Sequence, residues 1–366
     1  MKVAIVTCFE SNEERVNYIY DACLSRGYNV EAISSDFSHI RKEKRDSSTD
    51  RIKLLEAKPY KKNLSIERML SHHQFAKNVF SLLESNKPDL LWLIAPANSL
   101  IAEADKYKRR HPDVKIIADI IDMWPESLPI SINKNLFPLN LWKNLRSRHL
   151  KCADHVVTEC DMYHEILSNE YKGQIDTIYW ARDNEDVVNN PEPADDKLNL
   201  IYIGSINNII DNSKISDVIA RCDKKVVLHV IGEGENTELF LNKMKKVCEV
   251  VYHGAVRDEK RKAAVFDKCH AGINIYRDNL YIGFTTKCID YFEHGLPIIN
   301  NIKGDTWKMV EEHDAGINVS DETNIDSDIL IRQRKNFLNI VDLYNDNFTK
   351  EVFTKKCLQV IDEVIR

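Results

Sequence analysis

The chain reads as an α/β protein made of two doubly wound domains in tandem, and three observations predict this. Short apolar runs alternate with helix-length amphipathic segments along most of the sequence, the pattern of parallel strands joined by crossover helices. The alternation breaks once, at DNEDVVNNPEPADDK (183–197), an acidic stretch rich in Asn and Pro that has no period and reads as a linker. With 366 residues the chain is too long for a single core and long enough for two.

In order, residues 2–8 are almost continuously apolar, as expected of a strand buried on both faces. Residues 12–26 are predicted as a helix that Gly27 ends, and 29–34 as the next strand. The basic stretch HIRKEKRDSSTDR (39–51) shows no periodicity and is predicted as a loop. Helices are expected at 65–84, 99–110 and 141–152, and strands at 89–94, 115–121 and 155–158. After the linker, strands are expected at 198–204, 226–232, 249–254, 271–276 and 297–300, each followed by a helical segment. Residues 349–365 place Val352, Cys357, Val360, Ile361 and Val364 on one face and form a terminal helix. The predicted domains are 1–185 and 186–345, with 346–366 packing back on the first.

Composition narrows the function. Hydrophobic residues make up 43% and charged residues 30%, so both domains bury cores and stay hydrated. A net charge of −6 argues against nucleic acid as partner. Nine scattered cysteines, odd in number and without C-x-x-C, point to reduced thiols in the cytoplasm. No signal peptide or apolar run of spanning length is apparent, so any membrane contact would be peripheral.

Chemistry concentrates in YIGFTTKCIDYFEHGLPIINN (281–301). A helix is predicted over 286–294, with Thr285 as N-cap residue and Gly295 and Pro297 as its stop. Cys288, Ile289 and Phe292 share the face that packs on the sheet, while Lys287, Asp290 and Glu293 point elsewhere. The unbonded amides of Thr285, Thr286 and Lys287, after the turn that begins at Gly283, then form an anion site, to which Lys287 adds a full charge. Asp290, one turn on, is placed to accept hydrogen bonds from a pair of vicinal hydroxyls, as in a ribose. Gly204-Ser205 and Gly232-Glu233-Gly234 follow two strands of the same domain, at the carboxyl edge where open α/β sheets bind ligands. Together the turns and the helix point to a nucleotide.

Thr285-Thr286-Lys287-Cys288-Ile289-Asp290-Tyr291-Phe292-Glu293-His294-Gly295-Leu296-Pro297 resembles the P-S-K-x-x-E-Y…A-x-G-x-P segment of the GT-B-fold, retaining glycosyltransferases of family 4, notably those of bacterial capsule and exopolysaccharide synthesis. ADIIDMWPES (118–127) is similar to that family's D-x-x-D-x-W-P-E segment, and the linker, two-domain layout and terminal helix also fit. The resemblance implies two Rossmann-like domains facing a cleft. It also implies transfer of a sugar, with retention, from a nucleoside diphosphate sugar (UDP-type favoured) to a glycan or lipid-linked acceptor. The implied donor-site residues are Gly204, Ser205, Gly232, Gly234, Gly283, Thr285, Thr286, Lys287 and Asp290, with Lys214 as a diphosphate contact. Lys287 would stabilise the leaving diphosphate, and Asp122, Trp124 and Glu126 would serve the acceptor side, Asp122 and Glu126 as further catalytic candidates. No D-x-D is evident and Asp119-Ile120-Ile121-Asp122 has the wrong spacing, so neither metal nor other cofactor is expected. The basic loop and KNLRSRHLK (143–151), behind Phe137, Leu141 and Trp142, are candidates for touching an anionic membrane surface on the cytoplasmic side.

The sequence departs from the family pattern at several points. Asp290 replaces the usual Glu, Ile282 stands where many members have a Glu, and Ser205-Ile206-Asn207-Asn208 lacks the usual Arg and Lys. Two alternatives therefore stand beside the transferase: a non-catalytic subunit of the same fold, and a sugar-nucleotide epimerase. A nicotinamide-dependent oxidoreductase is disfavoured because the first strand is not followed by G-x-G-x-x-G.

Overall fold

Two all-parallel sheets, each covered by helices, form the protein, seen in a computed structural model. The structure describes residues 1–46, 50–128, 130, 133–134, 136–183, 193 and 196–366. Most of the 183–197 linker therefore lies outside the described residues, as do 47–49 of the basic loop. The chain divides into two compact units, Met1–Trp180 with Lys350–Arg366, and Ala181–Thr349.

The first unit runs β1 (Lys2–Val6), α1 (Glu13–Ser25), β2 (Asn29–Ser35), β3 (Ile52–Leu55), α2 (Ile66–Asn86), β4 (Leu90–Ala95), α3 (Asn98–Arg110), β5 (Lys115–Ile120), α4 (Leu139–Ser147), β6 (His155–Thr158), α5 (His164–Glu170) and β7 (Ile175–Thr177). Its strand order is β3-β2-β1-β4-β5-β6-β7. Winding proceeds outward in both directions from the β1/β4 junction, which is the topological switch point. Every residue of β4 is buried, as a central strand covered on both faces requires. Arg15 reaches from α1 to β5 and grips Asp119 through two hydrogen bonds of 2.8 and 2.9 Å, both side chains being fully buried.

The second unit runs β8 (Leu198–Ile203), α6 (Asn212–Ala220), β9 (Val226–Ile231), α7 (Thr237–Met244), β10 (Glu249–Gly254), α8 (Glu259–Phe266), β11 (Ala271–Asn274), α9 (Thr286–Glu293), β12 (Ile298–Asn300), α10 (Asp305–Glu312), β13 (Gly316–Asn318), α11 (Ser327–Lys335) and α12 (Leu338–Asn347). The order is β10-β9-β8-β11-β12-β13, with the switch point between β8 and β11. Leu200, Tyr202, Leu228, Val230, Ile273 and Ile299 belong to its core.

The terminal helix α13 (Lys350–Ile365) belongs to the first unit. There Phe353 packs edge-on against Tyr18, Arg26 pairs with Asp362 at 2.7 Å, and His155 stands between Asp176 (2.7 Å) and Glu363 (3.9 Å). No disulfide joins the nine cysteines. No helix among the described residues is long and apolar enough to cross a membrane.

Candidate functional site

The second unit places its glycine turns against one another at the β8/β11 switch point. A Cβ on Gly232 would stand 2.0 Å from the Gly204 carbonyl oxygen, and one on Gly234 would stand 2.4 Å from that of Ile206. Gly232 also has φ 138°, so only glycine fits there without strain. The Ile206 amide bonds the Glu233 carbonyl at 3.1 Å, and the Tyr202 hydroxyl donates to the Ser205 carbonyl at 2.8 Å. Gly204, Ser205, Gly232 and Gly234, which the sequence assigns to one site, are thus contiguous.

Lys287 lies against them. Its Cε would be 3.7 Å and its Nζ 3.9 Å from a Cβ on Gly204. The side chain is not on an open face, as the sequence led us to expect. It is 8% exposed, and its ammonium makes no hydrogen bond. The ammonium sits 4.1 Å from the ring centroid of Tyr202 and 4.8 Å from that of Tyr276. Burial pulls its pKa down to about 7, against weaker upward pulls from Cys288 and Asp290. A buried cation between two rings, with no anion bonded to it, is an electrostatic demand that an incoming anion would meet.

α9 explains why the sequence places Lys287 there. Leu296 donates to the Tyr291 carbonyl and Gly295 to that of Phe292, both at 2.9 Å, with Gly295 at φ 60°. This is a Schellman ending. Arg334 closes it by donating to the His294 and Gly295 carbonyls at 2.6 and 2.9 Å, a guanidinium at the negative end of the helix. At the other end Thr285 has the extended backbone of an N-cap but does not cap with its side chain. Its hydroxyl donates instead to Asn274 Oδ1 at 2.8 Å, which corrects the capping expectation. The first-turn amides remain without a side-chain acceptor, and Thr286 is exposed there. The Gly283 carbonyl accepts from the amide and the hydroxyl of Thr306, both at 3.0 Å, anchoring the preceding turn to α10.

Asp290 does not stand as a free carboxylate. Arg182 Nε bonds its Oδ1 at 3.1 Å and Lys262 Nζ lies 3.8 Å from the same oxygen. Neither cation was legible in the sequence, because Arg182 is 108 residues away and Lys262 lies on another helix. Glu293, expected to point away from the packing face, is buried and accepts from Tyr344 at 3.1 Å. Lys214 is engaged elsewhere, by Asp278 and by Asp321 at 3.5 Å.

The sequence reading also missed an asparagine ladder. Asn274, Asn300 and Asn318 end β11, β12 and β13 in register. Asn274 Nδ2 donates to Asn300 Oδ1 and Asn300 Nδ2 to Asn318 Oδ1, both at 2.8 Å, and Asn318 Nδ2 donates to the Trp307 carbonyl at 2.9 Å. The signal was an Ile-Asn pair in each of three strands (273–274, 299–300, 317–318).

In the first unit, Asp122 accepts from Ser127, and burial raises its pKa. Trp124 packs with Phe9, His72 and Trp142. Glu126 is occupied by Arg146 (2.9 and 3.1 Å) and Lys143 (3.3 Å), and Arg146 also donates to the Trp124 carbonyl at 2.7 Å. Both Glu126 oxygens therefore hold the turn. Of the proposed basic face, Arg146 and Trp142 are buried, while Leu136, Phe137 and Leu141 are exposed. Much of the loop's charge is neutralised within the unit, Arg45 by Glu13 and Lys44 by Asp36.

No family model matches the chain, and no curated protein matches it. Its fold is found in solved structures. Sucrose-phosphate synthase from Thermosynechococcus elongatus superposes with a TM-score of 0.72 at 11% identity, covering 100% of this chain and 99% of that one. HepE of Anabaena in complex with UDP gives 0.67 at 10%, covering 99% of each. The apo lipopolysaccharide outer core galactosyltransferase WaaB gives 0.63 at 16%, covering 98% and 95%. The architecture is α/β of the GT-B class.

Proposed function

We propose that the protein is a glycosyltransferase that moves a sugar from a nucleoside diphosphate sugar, of UDP type, to a glycan or lipid-linked acceptor with retention of configuration. The pathway favoured is cell-surface polysaccharide synthesis, and the place of action is the cytoplasm or the inner membrane face. The observation that carries this reading is the buried, unbonded ammonium of Lys287 between Tyr202 and Tyr276, beside Gly204 and in the first turn of α9. The structural likeness to glycosyltransferases, one of them holding UDP, supports the choice of donor.

In this mechanism the diphosphate enters over the glycine turns and the first-turn amides of α9. Its charge draws a proton to Lys287, and the resulting ammonium stabilises the diphosphate as its bond to the anomeric carbon breaks. Asp290 accepts ribose hydroxyls through Oδ2 while Arg182 and Lys262 hold Oδ1. A phosphate oxygen takes the acceptor proton, so neither a protein nucleophile nor a metal is required. Thermal shift with UDP, GDP, ADP and TDP, followed by a transfer assay with the stabilising nucleotide's sugars, tests the reading. Failure of all four nucleotides to bind would favour the non-catalytic subunit.

A further inference from the structure

The first unit contains a second buried cation that the protein leaves largely unanswered. Four arginines are almost wholly buried: Arg15, Arg68, Arg146 and Arg334. Arg15 is held by Asp119, Arg146 by Glu126 and Glu170, and Arg334 by three carbonyls, those of Cys269, His294 and Gly295. Arg68, 2% exposed, makes one side-chain hydrogen bond of normal geometry, from Nη1 to the Asn63 carbonyl at 2.8 Å. Its Nε and Nη2 have none, and among the described residues no carboxylate is ion-paired with it.

Its neighbours offer little negative charge. The guanidinium lies 3.9 Å from the ring centroid of Trp124, with the rings of Phe9, Trp142 and Tyr60 at 5.5, 5.7 and 5.8 Å. The Cys8 thiol and the Tyr60 hydroxyl, both raised by burial, stay neutral, and Asp122, within electrostatic reach, is bonded to Ser127. Arg68 also stands in the first turn of α2, at the positive end of a 21-residue helix, where a cation is disfavoured. Beside it His72, 1% exposed, has no hydrogen bond at either ring nitrogen. Its ring stacks on Trp124 at 6.1 Å and 18°. A cluster with this many unmet donors costs free energy unless a ligand meets them.

Its position is that of a ligand site. Phe9, His39, Tyr60 and Trp124 come from the chain just beyond the carboxyl ends of β1, β2, β3 and β5, around the β1/β4 switch point. His39 and Tyr60, which bond each other at 2.5 Å, lie in irregular chain, so access needs loop and rotamer changes but no opening of the sheet.

We propose that Arg68, assisted by His72, binds an acidic group, a phosphate or a carboxylate, in the first unit. Naming that group as part of the sugar acceptor rests on the transferase reading; the anion site itself does not. The guanidinium fork presents Nε and Nη2 to two oxygens, and His72 supplies a third polar contact. The acceptor class is therefore an anionic glycan or a phosphorylated carrier.

The test uses the full chain carrying Lys287→Met, so that anions cannot report on the donor site. Inorganic phosphate, glucuronate and glucose are titrated against tryptophan fluorescence, which Trp124 and Trp142 dominate at this site. Saturable binding of phosphate or glucuronate but not glucose is expected, weakened by about tenfold or more in Arg68→Met. Arg68→Lys, which keeps the charge and loses the fork, should weaken binding by an intermediate amount and guards against a folding defect in the first variant. Response to phosphate alone would identify a phosphoryl acceptor, and to glucuronate alone a uronic one. No saturable response, or an Arg68→Met form that binds as tightly as the arginine form, would overturn the proposal. UDP binding to Arg68→Met with Lys287 intact is measured alongside. Its loss there and in the native chain would count against the donor reading while leaving the anion result standing.

Discussion

The ammonium of Lys287 stands 4.1 Å from the centre of the Tyr202 ring and 4.8 Å from that of Tyr276, and it makes no hydrogen bond. Near pH 7 and below, the unliganded protein therefore bears a desolvated charge that meets two aromatic rings and no hydrogen-bond acceptor.

Lys287→Met should consequently raise stability while removing function. We expect a higher melting temperature, by roughly 2–4 °C for each kcal/mol relieved in a domain of this size. Turnover should fall by about 10²–10³, more than donor affinity does, because the charge is needed most as the diphosphate leaves. Melting curves and kcat against KM, measured on one preparation, check both halves. A variant less stable than the native chain and fully active would remove the assignment.

The pH dependence follows from the same residue. Its pKa is about 7 in the folded protein against 10.5 unfolded, and the groups around it are Tyr202, Tyr276, Cys288 and Asp290. Between those values the unfolded chain holds a proton that the folded chain lacks, so Lys287 makes stability rise with pH across that window. Nucleotide binding has the opposite trend. A diphosphate favours the ammonium, so above pH 7 binding takes up a proton and affinity falls by up to about tenfold per pH unit. Calorimetry in buffers of different ionisation enthalpy measures the uptake directly, and pH-independent affinity from pH 7 to 9 would contradict it.

Asp290→Ala should weaken nucleoside diphosphate binding by about 1.5–3 kcal/mol, the value of hydrogen bonds to a charged group. It should also lower stability, because Arg182 and Lys262 lose their shared partner. Asp290→Asn, which keeps the shape, should recover part of the stability and less of the affinity. Urea unfolding paired with UDP titration separates the two effects.

Gly232→Ala tests the backbone-on-backbone packing. The added carbon would meet the Gly204 carbonyl at 2.0 Å with φ at 138°, so a loss of roughly 1–3 kcal/mol or more is expected in the urea midpoint. Gly27→Ala, with nothing within 4 Å of its added carbon and φ at 74°, is the comparison, and it should cost less.

Periodicity and punctuation revealed most strands and the ends of α9, since Gly295 and Pro297 stop a helix by local sterics alone. β7 and β13 went unread because three residues of middling apolarity carry no period, and their place is set by neighbouring strands. β3 was unread because it follows a basic loop and is only partly covered. Lys287 was identified as a residue but its burial was not, because burial depends on Tyr202 and Tyr276 closing from other elements. Arg182, Lys262 and Arg68 were invisible for a similar reason, each acting on partners that only folding brings near.

The asparagine ladder has a polarity. The Ile302 amide can only donate and the Ile302 carbonyl can only accept, so their bonds with Asn300 Oδ1 (3.0 Å) and Nδ2 (2.9 Å) fix which way that amide faces. Every side chain in the series then hands its hydrogen one way, from Thr285 to Asn274, and from there through Asn300 and Asn318 to Trp307. The Thr285 proton is thus already committed within the protein. Its oxygen, 3.2 Å from Cys288 Sγ, can then only accept, so toward the proposed anion the hydroxyl would act as a fence and not as a donor. A phosphate bound as proposed would be steered off it, toward the amides and Lys287.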